Sequence, residues 1–193
     1  MVNTIAGVDY GAKNAGTTCL CYNKGQEIYY VQSIKNRDAD VFLYEHLLRL
    51  QPAVSGIDAP LSIPAIYTGT GEDYFYRQAD KEVQAMSPMF LGGLTARAIK
   101  LSDNLELKGI KCIETYPAGL AKELKLDMEK YKKKSVHINE LTQGIKSGIP
   151  FEFRNIPKNW HQFDSLLCWI ICNRYLKGIA KSHGKQEEGI IYI

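Results

Sequence analysis

Apolar residues in this chain fall into short continuous runs bounded by turn formers, separated by longer stretches with a helical period, the pattern of an α/β protein. Residues 4–9 form the first run. Residues 17–22 and 27–33 follow, joined by Asn23-Lys24-Gly25-Gln26, and the three together predict a meander. Over 40–50, Val41, Leu43, Tyr44, Leu47, Leu48 and Leu50 recur at helical spacing, with Asp38 or Asp40 available as N-cap. That helix leads into an apolar run at 53–57. A crossover helix favours parallel pairing, so the expected sheet is mixed, with the 53–57 strand beside the first.

The remainder is less regular. Residues 62–109 open with a Gly-rich loop, Tyr67-Thr-Gly-Thr-Gly71, and continue through a polar and aromatic stretch; they are the candidate lid or substrate loop. A helix over 91–101, a strand over 111–115 and a Lys-rich helix over 118–134 come next. The apolar stripe of the last, Leu120, Leu124 and Met128, predicts that Lys122, Lys125, Lys130, Lys132, Lys133 and Lys134 face outward. Residues 151–159 read as a loop, 162–177 as a long helix ended by Gly178, and 189–193 as a closing strand.

A length of 193 residues with 45% hydrophobic content suits one domain with a full core and an insertion. The net charge of +3 neither demands nor forbids nucleic acid. The cysteines, Cys19, Cys21, Cys112, Cys168 and Cys172, are odd in number and lack a CxxC, which argues against a disulfide framework or a zinc site and for reduced core thiols. The N-terminus lacks a basic, apolar leader and no run approaches the roughly 18 apolar residues of a membrane span. A soluble, cytoplasmic protein without membrane partners is the expectation.

The chemistry lies at the strand ends. The first run ends in Asp9 within GVDYGAKNAG, where Gly11 and Gly16 clear the backbone for close approach. GIDAP repeats the device with Asp58 before Pro60, and Asp164 opens the long helix, with His161 three residues earlier on the same helical face. Carboxylates delivered to one sheet edge suit Mg²⁺ or Mn²⁺, hard cations that take oxygen ligands, and a pair of such ions can activate water and stabilise the leaving oxygen of a phosphodiester. Asp9, Asp58 and Asp164 are the candidate ligands, His161 a ligand or proton-transfer group, and Glu114 a further ligand or a loop anchor. Simpler roles compete: Asp9 and Asp58 could shape turns, Asp164 could cap its helix, and Arg77 with Asp80 and Glu82 could be a structural ion pair.

GVDYGAKNAG resembles the opening strand of RNase H-like nucleases, especially the Holliday-junction-resolvase-like members. Across nearly the whole chain, GVDYGAKNAG, GIDAP with residues 61–64, residues 77–80, ETYPA from Glu114, DSLLCWIICNR from Asp164 and EEGIIYI are similar, in the same order, to a predicted RNase H-like nuclease family first described as a domain of unknown function. The resemblance implies an α/β, RNase H-like fold with a five-stranded mixed sheet flanked by helices and a helical or loop insertion at 62–109. It also implies a divalent-metal site lined by Asp9, Asp58 and Asp164 with Glu114 close by, and His161 where members often carry an acid. The expected function is metal-dependent phosphodiester hydrolysis on nucleic acid, with Lys13 and Arg77 as phosphate contacts and a homodimer by analogy with junction enzymes. Two other classes stay open: a phosphate- or ATP-binding protein related to the sugar-kinase and actin-like fold, and a non-catalytic nucleic-acid or protein interaction module.

Overall fold

The computed structural model of the chain describes residues 2–146 and 148–193. Its strands are β1 (Ile5–Asp9), β2 (Cys19–Lys24), β3 (Glu27–Gln32), β4 (Val54–Asp58), β5 (Cys112–Thr115), β6 (Glu152–Phe153), β7 (Ser182–Lys185) and β8 (Gly189–Tyr192). Its helices are α1 (Ala39–Leu50), α2 (Gln78–Val83), α3 (Pro88–Leu91), α4 (Gly93–Glu106), α5 (Pro117–Glu123), α6 (His137–Lys146) and α7 (Trp160–Leu176).

One mixed sheet runs in the order β6-β3-β2-β1-β4-β5-β8-β7. Its centre, β3-β2-β1-β4-β5 with β2 antiparallel to both neighbours and β4 and β5 parallel to β1, is the RNase H-like arrangement that was expected. The sheet is wider than the five expected strands: β6 adds to one edge, and a β7–β8 hairpin extends the other. β7 and β6 escaped the sequence reading because SHGK and EF lack an apolar run; pairing to an existing edge, not intrinsic preference, makes them strands.

Strand alternation sorts the core into two layers. Ala6, Val8, Leu20 and Ile57 point to one face, where Leu43 and Leu47 of α1 and Ala98, Leu101 and Leu105 of α4 cover them. Ile5, Cys21 and Val54 point to the other, beneath α7. Residues 163–172 of α7 are buried without interruption, because the sheet lies on one side and α5 and α6 on the other. All five cysteines are buried free thiols, as expected. Among the described residues, no helix is long and apolar enough to cross a membrane.

The predicted Lys-rich helix over 118–134 ends early, at Glu123. Lys125 takes the left-handed conformation (φ 54°), its N–H reaches the Lys122 carbonyl at 3.0 Å, and the Leu126 N–H reaches the Ala121 carbonyl at 3.0 Å. This is a Schellman stop with lysine at the position glycine usually holds, so the sequence carries no visible terminator. Residues after it fold back over the N-terminal half of α7.

Candidate metal centre

Two glycines decide where the site forms. Gly7 and Gly56 are register partners on adjacent parallel strands, and each lies two residues before an aspartate. Strand period therefore sends Gly7, Gly56, Asp9 and Asp58 to the same face. A Cβ on Gly7 would lie 2.1 Å from the Trp169 nitrogen and 2.4 Å from the Ser165 carbonyl; one on Gly56 would meet the Cys172 sulfur at 2.5 Å. The missing side chains let α7 lie directly on the sheet, and the aspartates one step along receive its N-terminal turns.

The helix is capped by Asn159, whose side chain accepts from the Gln162 N–H at 2.9 Å. Asp164 is thus inside α7, not at its cap, and its carboxylate is free to face the strand ends. Asp9, Asp58 and Asp164 each bring a carboxylate oxygen within 4.8 Å of the others. Burial, and then the charges of Asp9 and Asp164, push the Asp58 carboxyl well above the usual carboxylate range. Burial also raises Asp164, against the pull of Lys132.

His161 Nδ1 lies 2.7 Å from Asp9 Oδ2, and that hydrogen bond raises the imidazole pKa. The histidine therefore orients Asp9; it is not among the three mutually close carboxylate groups. Lys132, expected on an outward helix face, and its neighbour Tyr131 are brought to the site by the early helix stop. The Tyr131 hydroxyl donates to Asp164 Oδ1 at 2.6 Å, and Lys132 Nζ lies 2.7 Å from Asp164 Oδ2. Burial opposes the Lys132 charge, yet Asp164, Asp58 and Asp9 together outweigh it and raise its pKa. The tyrosine within the run EKYKKK was the available signal: an aromatic in a lysine-rich segment is a candidate anchor.

Glu114, Arg77 and Lys13 are placed elsewhere. Glu114 pairs across with Ile57, one residue short of Asp58, so alternation turns it to the opposite face. It binds Arg77, which is fully buried and spends all five N–H donors: Nε on Asp80 Oδ2, one terminal nitrogen on Ser62 and Glu114, the other on Asp80 and Glu114. No donor is left for a phosphate. The structural ion pair weighed above is present between Arg77 and Asp80, while Glu82 turns to Gln78 and His183. Lys13 pairs with Asp38 at 3.1 Å, beside the α1 cap.

The donor set fits a hard divalent cation. Both oxygens of Asp58 and Oδ1 of Asp9 have no hydrogen-bond or ion-pair partner among the described residues, whereas the other oxygens of the cluster are committed. This predicts a pH dependence for the metal-free protein. The folded state holds a proton on Asp58 above the ordinary value of 3.8, so this group's stabilisation is complete below that value and lost as pH rises through the raised pKa. Thermal melting in chelator should accordingly fall as pH rises through that range. Asp58→Asn should flatten that fall and raise the Tm of the metal-free fold at pH 8. A steeper fall in the variant would contradict the assignment.

No protein-family model matches the chain, and no curated protein matches it. Among solved structures, the chain is similar to the yeast mitochondrial Holliday junction resolvase Ydc2, at 16% identity over 90% of this chain and 80% of that one, with a TM-score of 0.46. It is also similar to RuvC of Thermus thermophilus, at 14% identity over 92% of this chain and 98% of that one, with a TM-score of 0.44. The RNase H-like assignment rests on the strand order and register of this chain itself.

Proposed function

We propose that this protein is a divalent-metal-dependent nuclease that hydrolyses phosphodiester bonds in nucleic acid. The observation that carries the reading is the convergence of Asp9, Asp58 and Asp164 at the ends of paired parallel strands and the facing helix, with unpartnered oxygens on Asp9 and Asp58. Mg²⁺ or Mn²⁺ held there supplies water activation and stabilisation of the leaving oxygen. Asp58 and Asp9 hold the ion, Asp164 completes the acidic wall, and His161 fixes the Asp9 carboxylate through Nδ1 while its other ring nitrogen remains for a proton.

Two surfaces support a polymeric substrate. Residues 62–109, read here as the substrate-covering insertion, carry the exposed aromatic side chains Tyr67, Tyr74, Phe75 and Phe90, and such rings stack on bases. Ala85, Met86 and Leu91 of the same segment meet Asp58, Thr115 and Tyr116 around a cavity of about 120 Å³. The lysine-rich segment after α5 reaches the acidic cluster through Lys132, and its exposed Lys133 and Lys134 suit phosphates.

The test is Mn²⁺ binding by calorimetry together with cleavage of labelled DNA, RNA, hybrid and junction substrates. Asp9→Asn and Asp164→Asn should each keep the fold by circular dichroism and lose about 10²–10³-fold or more in cleavage rate. Asp9→Asn should also lose Mn²⁺ binding. Folded variants that cleave at the wild-type rate would overturn the proposal.

A further inference from the structure

We infer that Lys132 is a tethered cation standing in the place of a second metal ion, so that the carboxylate site takes one divalent ion per chain. This rests on the metal-dependent reading above and narrows it. The oxygen inventory carries the argument. Of the six carboxylate oxygens, Asp164 has both engaged, Oδ1 by the Tyr131 hydroxyl at 2.6 Å and Oδ2 by the Lys132 ammonium at 2.7 Å. Asp9 has one engaged, by His161 at 2.7 Å. The three that remain, both from Asp58 and one from Asp9, suffice for one hard cation completed by water. A two-ion site needs the helix aspartate as well, and a second ion there would have to crowd or displace the Tyr131 hydroxyl and the Lys132 ammonium that already sit on its oxygens.

Charge gives the same result. With His161 neutral and Asp58 ionised on metal binding, three carboxylates and one ammonium leave a residual charge of minus two, which a single divalent ion neutralises. A second divalent ion beside Lys132 would place like charges within a few ångströms in a partly buried site.

Lys132 is also built into position. Tyr131 is 5% exposed, and its ring packs against Trp160 at 5.7 Å and Phe163 at 6.1 Å between centroids. The Trp160 indole N–H donates to the Lys133 carbonyl at 3.1 Å, and Lys132 itself has φ 58°, a backbone conformation that lysine seldom takes. Two aromatic residues of the first turns of α7 thus clamp the loop whose next residue enters the acidic cluster. In the proposed reaction, the fixed ammonium meets the negative charge of the phosphate from the Asp164 side, where a second ion would otherwise stand.

Calorimetric titration of the full chain with Mn²⁺ alone tests this, with electron paramagnetic resonance as a second readout. Wild type should bind one ion without manganese–manganese coupling. Lys132→Met should bind two, with coupled spectra, and Lys132→Arg, which keeps the cation, should return to one; circular dichroism checks that both fold. Two ions in the wild type would overturn the inference and leave the nuclease reading intact. So would a folded Lys132→Met that still binds one ion, whatever its affinity. No binding to any form would overturn the metal-dependent reading along with it.

Discussion

Gly7→Ala should destabilise the protein by at least about 3 kcal/mol, lowering Tm by about 6–12 °C, and should impair metal binding at the same time. The added methyl has nowhere to go. It would meet the backbone nitrogen of Trp169 at 2.1 Å and the Ser165 carbonyl at 2.4 Å, and main chain in the middle of a buried helix cannot swing aside as a side-chain tip can. Either α7 lifts from β1 or the strand bows, and both change the separation of Asp164 from Asp9 and Asp58. Gly56→Ala is the internal control. Its methyl meets mainly side-chain atoms, the Cys172 sulfur at 2.5 Å and the Thr115 methyl at 2.7 Å, so a smaller loss of about 1–3 kcal/mol is expected. Chemical denaturation of the three proteins with Mn²⁺ titration of each checks the ranking; equal stability of Gly7→Ala and wild type would contradict the close helix–strand packing.

Arg77→Ala should cost about 3–5 kcal/mol, because it strands two buried carboxylates that the guanidinium alone neutralises. Asp80 and Glu114 are 1% and 7% exposed, and each shares two hydrogen bonds with Arg77 side-chain nitrogens. Arg77→Lys keeps the charge but replaces five forked donors with three, so it should recover only part of the loss. Arg77→Met combined with Asp80→Asn and Glu114→Gln should recover more than Arg77→Ala, since no uncompensated charge remains. The deficit should also depend on pH. Burial already raises the Glu114 carboxyl above its ordinary 4.5, and removal of Arg77 raises it further. A raised folded-state pKa gives stability that is present at low pH and lost as pH rises, so the Arg77→Ala deficit should shrink between about pH 8 and pH 5. A deficit unchanged over that range would show that Glu114 does not carry it.

Much of the central architecture was legible in the chain. GVD and GID each place a glycine two residues before an aspartate at the end of an apolar run, and strand period then puts both aspartates on one face whatever else happens. The crossover over 40–50 made those strands parallel neighbours, and α7 is long and apolar enough to be read directly. Local pattern was sufficient there because short apolar runs and helical spacing are properties of neighbouring residues.

Tertiary structure decided the rest, for identifiable reasons. Glu114 reads in sequence as a further ligand or a loop anchor; β5 pairs one residue out of step with Asp58, which reverses its face, and its carboxylate accepts from the Leu61 N–H instead. Arg77 reads as a phosphate contact or as part of an ion pair with Asp80; the fold spends it on Asp80 and on Glu114, which lies 37 residues away. Lys132 reads as one of several lysines on a solvated helix. A lysine in the left-handed position at 125 ends that helix, and contacts from Tyr131 to Trp160 and Phe163 then carry Lys132 to Asp164. The sequence by itself determined the strand-end aspartates, their shared face and the helix that meets them. Only the folded chain decided which cations neutralise which carboxylates, because those pairings join segments that no local period connects.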